Sequence, residues 1–285
     1  MTQATISHDQ FDAVLFDMDG VVTRTAAVHF AAWKSVFDAF LQNREDPPYR
    51  EFTKQNYLDY VDGKPREDGI RSFLQSRQIK LQEGSPNDAP GLATVSGLSK
   101  VKNEQFLQLI HTRGVEVYET TLALIKSLRA AGIKTALVTA SKNGAEILKV
   151  TKLAPLFDAI VTGVEAAQLH LGGKPAPDVF LEAARQLEVS PRRTIVVEDA
   201  EAGVESGKNG HFGLVIGVAR DSNTSSLKEH GANIVVSDLA ELTVSRQQAD
   251  SREDTPGMTM SDLDVTEANW VVRGGSGLSG QIFLS

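Results

Sequence analysis

A short apolar run, Ala13-Val14-Leu15-Phe16, closes on Asp17-Met18-Asp19-Gly20, and this junction constrains the fold more than any other stretch of the chain. Consecutive apolar residues ended by an acidic turn read as a buried parallel strand that stops abruptly, with Gly20 letting the backbone turn. In a parallel α/β sheet, ligands bind at the carboxyl ends of the strands. Side chains two apart on an extended segment point the same way, which directs Asp17 and Asp19 toward one site unless the turn breaks that register. Carboxylates that close do not both ionise freely unless a cation sits between them or one keeps its proton. A strand ending in an Asx turn accounts for one Asp and the glycine, but not for both carboxylates.

The rest of the chain supplies the remainder of such a sheet. From Val115 onward, strand and helix alternate, with strands at 134–139, 159–162, 194–197, 214–218 and 233–236. Between the first strand and this alternation lie helices and no convincing strand. His29, Phe30, Trp33, Val36, Phe37, Phe40 and Leu41 recur at helical spacing, and further helical segments carry Tyr57 and Leu58, Ile70 and Phe73, and Phe106 and Ile110. The stretch 83–97 is rich in Gly, Pro, Ser and Ala and reads as a loop, as does the stretch before Lys174 that contains Gly172-Gly173. The pattern predicts an α/β fold with a doubly wound parallel-sheet (Rossmann-like) core, residues 11–28 and 114–243, and a helical cap, 29–113, inserted after the first strand. Residues 1–10 read as a polar leader and 244–285 as a linker and tail. In that tail, Trp270-Val271-Val272 and Ile282-Phe283-Leu284 suit a weak hairpin and a floppy end equally.

Composition excludes several kinds of function. A net charge of −8 argues against a general nucleic-acid binder, so an anionic substrate must meet a local basic cluster. The absence of cysteine removes disulfides, thiolate metal sites and cysteine nucleophiles. Residues 1–10 have no apolar centre, and no run is long enough to span a bilayer. A cytoplasmic monomer without nucleic-acid or membrane partners is the expectation.

Four strand ends carry reactive groups: Asp17 and Asp19; Thr139; Lys174; and Glu198-Asp199. Taken singly, a threonine there is a cap, a lysine is solvated and an acidic pair is an exposed turn. Their joint placement at the carboxyl ends of parallel strands is what points to a site. The stretches Asp17-Met18-Asp19-Gly20, Val138-Thr139-Ala140-Ser141-Lys142-Asn143, Lys174-Pro175-Ala176-Pro177-Asp178 and Glu198-Asp199-Ala200-Glu201-Ala202-Gly203 stand in the order of a known family. Over residues 11–242 the sequence resembles the haloacid dehalogenase superfamily of phosphotransferases, and within it the β-phosphoglucomutase-like subfamily.

That resemblance implies Mg²⁺-dependent phosphoryl transfer through an aspartyl phosphate that interconverts β-glucose 1-phosphate and glucose 6-phosphate, with β-glucose 1,6-bisphosphate as intermediate and activator. Asp17 becomes the nucleophile and Asp19 the general acid and base, with Lys174 and Thr139 on the transferring phosphoryl group. Asp17, Glu198, Asp199 and the Asp19 carbonyl are the implied metal ligands, oxygen donors that suit a hard cation. In the cap, Arg66 in Gly63-Lys64-Pro65-Arg66 stands where the subfamily clamps the phosphate that does not move, with Lys102 and Asn103 beside it. Thr25 and His29 match the hinge, Trp33 and Lys34 the first cap helix with Trp33 against the sugar, and Ser141, Lys142 and Asn143 the core residues that reach the sugar phosphate.

Some positions depart from that pattern. Arg24 replaces an acidic hinge residue, Pro65 precedes Arg66 where a small polar residue is common, Gly69 replaces a cap serine, and the loop 166–173 is longer. These departures bear on the sugar more than on the phosphoryl chemistry. The alternatives are a sugar-phosphate phosphatase of the same fold, in which water is the acceptor, and a non-catalytic sugar-phosphate sensor. The sensor has no use for a nucleophile beside an acid.

Overall fold

The computed structural model describes residues 4–44, 48–62, 64–220 and 223–245. Its first half runs β1 (Ala4–Ser7), β2 (Ala13–Asp17), α1 (Ala26–Gln42), α2 (Lys54–Tyr60), α3 (Arg66–Ser76), α4 (Val95–Arg113) and α5 (Glu119–Ala130). Then follow β3 (Lys134–Val138), α6 (Gly144–Thr151), β4 (Ala159–Val161), α7 (Gly163–Gln168), α8 (Asp178–Gln186) and β5 (Thr194–Glu198). The last elements are α9 (Glu201–Asn209), β6 (Leu214–Val218), α10 (Thr224–His230), β7 (Ile234–Val236) and β8 (Leu242–Ser245).

Burial on both faces places β2 at the centre. Val14 and Phe16 pack on one side with Leu124, Ile125 and Leu128 of α5 and Ile147 of α6, while Ala13 and Leu15 meet Val179, Phe180 and Ala183 of α8. The parallel sheet has the order β4-β3-β2-β5-β6-β7. The chain builds outward from β2 through β3 to β4, then returns to β5 on the other side. Such a reversal opens a crevice at the carboxyl ends of the two strands that flank it. Asp17 ends one of them and Glu198 the other.

Helices α1 to α4 form the cap around their own aromatic core. The ring centroids of Phe37, Phe52 and Phe73 lie 4.3 to 5.0 Å apart. The two chain segments that join cap to core pair with each other. Arg24 N–H donates to the Glu116 carbonyl at 2.8 Å, Tyr118 N–H donates to the Val22 carbonyl at 3.0 Å, and Thr23 bridges Val117.

Three expectations from the sequence change. The supposed leader contains β1, which pairs in parallel with β8, Ala4 opposite Leu242 and Ser7 opposite Ser245. Ile6 is 2% exposed and joins the core cluster that holds Leu239 and Leu242. Ile6→Ala should therefore cost about 2–5 kcal/mol in urea unfolding, whereas a loss under about 0.5 kcal/mol would show a surface strand. The supposed loop before Lys174 contains α7, capped by the Thr162 hydroxyl, which accepts from Glu165 N–H at 3.4 Å. Helix α1 also begins at Ala26, one turn before the apolar periodicity starts at His29. The tail expectations, Trp270-Val271-Val272 and Ile282-Phe283-Leu284 included, lie outside the described residues.

Candidate active site

Four acidic side chains meet at the crevice, and one lysine decides how they divide. Lys174 Nζ lies 2.5 Å from Asp17 Oδ1 and 2.5 Å from Glu198 Oε1. The other Glu198 oxygen accepts from the backbone N–H groups of Asp199 and Ala200, at 2.9 and 3.1 Å. Gly203 leaves the room this requires, since a Cβ there would overlap the Glu198 carboxylate. Glu198 is thus committed on both oxygens. Asp199 keeps its carboxylate against Gly20, a residue with φ of +86° and no Cβ to obstruct it. Among the described residues, no hydrogen bond reaches the Asp199 carboxylate.

Oxygens of Asp17, Glu198 and Asp199 lie within 4.8 Å of one another. Burial, with the Glu198 charge second, pushes both the Asp17 and the Asp199 carboxyl well above the usual range. Burial alone would lower the Lys174 ammonium, but Asp17 and Glu198 hold it well above its ordinary value. One ammonium against three carboxylates leaves an excess of negative charge on hard oxygen donors. That donor set fits a divalent cation such as Mg²⁺, which Asp17 and Asp199 would hold with Glu198 beside them.

The Asp19 carboxylate turns elsewhere. The Thr25 hydroxyl donates to Oδ1, and the Thr139 hydroxyl lies 3.4 Å from Oδ2. Burial raises the Asp19 pKa, although the Thr25 hydrogen bond opposes the shift. A carboxyl that takes a proton more readily than usual suits general acid and base work. Thr139 also accepts from Ser141 N–H at 3.0 Å, and the Ser141 hydroxyl accepts from Asn143 N–H at 3.2 Å, which shapes the loop after β3.

Above this floor the cap presents cations. Lys102 Nζ lies 2.8 Å from His29 Nδ1 and sits over the Trp33 and Phe106 rings, 5.1 and 4.7 Å from their centroids. Burial, then Arg66, lowers the Lys102 pKa to about 7. Burial, then Lys102, pushes His29 well below its usual value and keeps it neutral. When Lys102 is in its ammonium form it has no lone pair to offer, and His29 Nδ1 is then the acceptor with the ring proton on Nε2. Arg66 donates to the side-chain oxygen of Asn103 at 2.8 Å and lies 3.5 Å from the Ser99 carbonyl. Asn143 of the core donates to the same Asn103 oxygen at 2.9 Å, a direct contact between core and cap.

Other expected site residues stand apart from this constellation. Trp33 is 4% exposed and stacks on Phe37 inside the cap core, so it supports Lys102 rather than offering an open face to a sugar. Lys34 pairs with Asp38 and Glu51 on the outside of the cap. Lys142 is exposed, and its charge is felt by Glu67 of the cap. Gly63 lies outside the described residues. Sequence reasoning passed over Arg220 and Tyr118. Arg220 Nε donates to the Gly20 carbonyl at 2.9 Å, and its guanidinium lies over the Tyr118 ring. Arg220 follows β6, so extending the search for reactive groups to every strand end would have reached it.

A family model described as haloacid dehalogenase-like hydrolase matches residues 11–211, and the chain belongs to this family. Its relatives place it in the β-phosphoglucomutase-like subfamily. It is 42% identical over 237 residues to the beta-phosphoglucomutase of Mycobacterium bovis, covering 81% of this chain and 90% of that one. It is 28% identical over 231 residues to the phosphorylated carbohydrates phosphatase of Thermotoga maritima, covering 79% and 94%. The crystal structure of β-phosphoglucomutase from Clostridium difficile superimposes with a TM-score of 0.64 at 24% identity, covering 82% of this chain and 93% of that one, which shows the fold. The protein is an enzyme of this family, and its relatives are named both as mutase and as phosphatase.

Proposed function

We propose that the chain is a β-phosphoglucomutase, interconverting β-glucose 1-phosphate and glucose 6-phosphate through a bisphosphate. One observation carries this reading over a phosphatase: the cap holds cations that no carboxylate of the described residues pairs with. Arg66 bonds only neutral oxygens of Asn103 and Ser99, and the nearest partner of Lys102 is neutral His29. Lys102 is buried and Arg66 half-buried, and Asp19 and Glu67 act on them only at a distance, without an ion pair, so the two cations together offer a site for an anion. A phosphatase needs one phosphate site, whereas a mutase must hold a second phosphate while the first moves.

In this reading, an Asp17 oxygen attacks phosphorus as the bond to the sugar oxygen breaks, and Asp19 gives its proton to that oxygen. The next sugar hydroxyl returns a proton to Asp19 and attacks the aspartyl phosphate, which restores the Asp17 carboxylate. Lys174 faces the nucleophile and supplies positive charge for the transferring group, with Thr139 beside Asp19. Mg²⁺, held by Asp17 and Asp199, would offset charge between nucleophile and phosphate. Thr25 and His29 link this chemistry to the cap, while Ser141, Lys142 and Asn143 line the loop between the two phosphate positions. A cytoplasmic monomer is part of the proposal; among the described residues, no helix is long and apolar enough to cross a membrane.

Phosphorus NMR with Mg²⁺, β-glucose 1-phosphate and a trace of β-glucose 1,6-bisphosphate tests the reading. Glucose 6-phosphate without comparable free phosphate is expected; mostly inorganic phosphate would make water the acceptor and the protein a phosphatase. Arg66→Ala should lower mutase turnover about 10- to 100-fold, the loss of a charge-assisted contact, while hydrolysis of a small aryl phosphate falls less than about threefold. Equal losses would remove the second phosphate site from the argument.

A further inference from the structure

We propose that Arg220 is a positioning residue for phosphoryl transfer, fixing the loop that carries Asp19 and tying that loop to the cap hinge through Tyr118. Arg220 makes its contacts with Gly20, Asp238 and Tyr118. It acts on Gly20, the residue immediately after Asp19. Arg220 Nε donates to the Gly20 carbonyl at 2.9 Å, and Gly20 N–H donates to the Thr23 carbonyl at 2.8 Å. Both peptide groups of Gly20 are thereby held. Because Asp199 occupies the space where a Cβ at position 20 would stand, any shift of this backbone disturbs a carboxylate on each side.

The same guanidinium reaches the hinge. Its carbon lies 3.6 Å from the centroid of the Tyr118 ring, and the Arg24 guanidinium carbon lies 4.5 Å from that centroid. Arg24 and Tyr118 belong to the two paired segments that join cap to core. A cation is attracted to the face of an aromatic ring, whereas a carboxylate over that face is repelled. Arginine at position 24 therefore suits Tyr118. Asp238 Oδ2, 3.4 Å from Arg220 Nη1, offsets part of the positive charge gathered here. The result is a continuous contact from both cap segments, through one ring and one guanidinium, to the peptide beside the proposed acid and base.

The inference rests on Asp19 as acid and base but not on the identity of the acceptor. Hydrolysis of p-nitrophenyl phosphate and turnover of β-glucose 1-phosphate, each with Mg²⁺, are measured side by side. If wild type hydrolyses the aryl phosphate without mutase turnover, the mutase reading fails and the Arg220 effect is still read on hydrolysis. Arg220→Met and Tyr118→Leu should each lower kcat about tenfold on the aryl phosphate, with KM within about twofold, as expected when a reacting group is displaced but substrate contacts remain. Tyr118→Phe keeps the ring and should restore wild-type kcat. Thermal unfolding reports folding, and if Arg220→Met does not fold, the Tyr118 pair carries the test. Wild-type kcat in folded Arg220→Met or Tyr118→Leu, a rise in KM alone, or equal losses in Tyr118→Phe and Tyr118→Leu would each overturn the proposal.

Discussion

Asp17→Asn is expected to abolish turnover, by at least about 10⁴-fold, because an amide oxygen is a poor nucleophile and removing a nucleophile that acts with its partners is among the costliest changes an enzyme can suffer. The substitution keeps the shape of the side chain. It replaces the oxygen that faces Lys174 Nζ at 2.5 Å, or the one beside it, with a group that carries no charge and cannot form an acyl phosphate. Incubation with an activated phosphate donor and Mg²⁺, followed by intact-mass measurement, should show a phosphorylated protein for wild type and none for the variant. Turnover by the variant equal to that of wild type would remove covalent catalysis at Asp17, and no turnover by either protein would leave a sugar-phosphate sensor as the better reading.

Asp19→Asn should separate the two halves of the reaction. Attack on a donor with a good leaving group needs no acid, so the variant should still form the aspartyl phosphate. Passing the group to a sugar hydroxyl needs a base. That step should slow by about 10²- to 10⁴-fold, the usual range for general acid–base catalysis. The phosphorylated protein should therefore accumulate, and its decay can be followed by mass measurement after the donor is removed. The geometry supports this division, because the Asp19 carboxylate bonds Thr25 and approaches Thr139 while the other three acids gather together, Asp17 and Glu198 of them against Lys174. Decay as fast as in wild type would assign the base to another group.

Much of this site was legible because the strand ends announce it. An apolar run ended by a charged residue marks both the position and the chemistry, and Asp17, Thr139 and Glu198 all fall at or just beyond strand ends in the sheet. What the sequence did not reveal is pairing across the fold. The resemblance gives Lys174 to the phosphate and Glu198 to the metal, yet the two lie against each other. Trp33 shows the same difficulty on the cap, since an aromatic residue at helical spacing reads alike whether it faces a ligand or a core. Strand β1 was hidden for another reason. With four residues and one large apolar side chain, Ile6, it carries too little pattern to be seen without its partner β8. Helix α7, six residues long, falls below any useful helical period.

The cap leaves and rejoins the core at neighbouring points, where the segments at Thr23 and Val117 lie side by side. A module attached in this way can be rebuilt, lengthened or exchanged with little disturbance to the sheet, because its two ends already meet. Selection can then work on substrate choice and on phosphoryl chemistry as separate problems. Arg66 and Lys102 stand on the inserted part, while Asp17, Lys174 and Asp199 stand on the core that carries it. The Asn103–Asn143 hydrogen bond at 2.9 Å, the His111–Glu146 contact at 3.3 Å and the packing of Phe106 and Ile110 into the core cluster of the sheet are places where a change in the cap would have to be matched in the core.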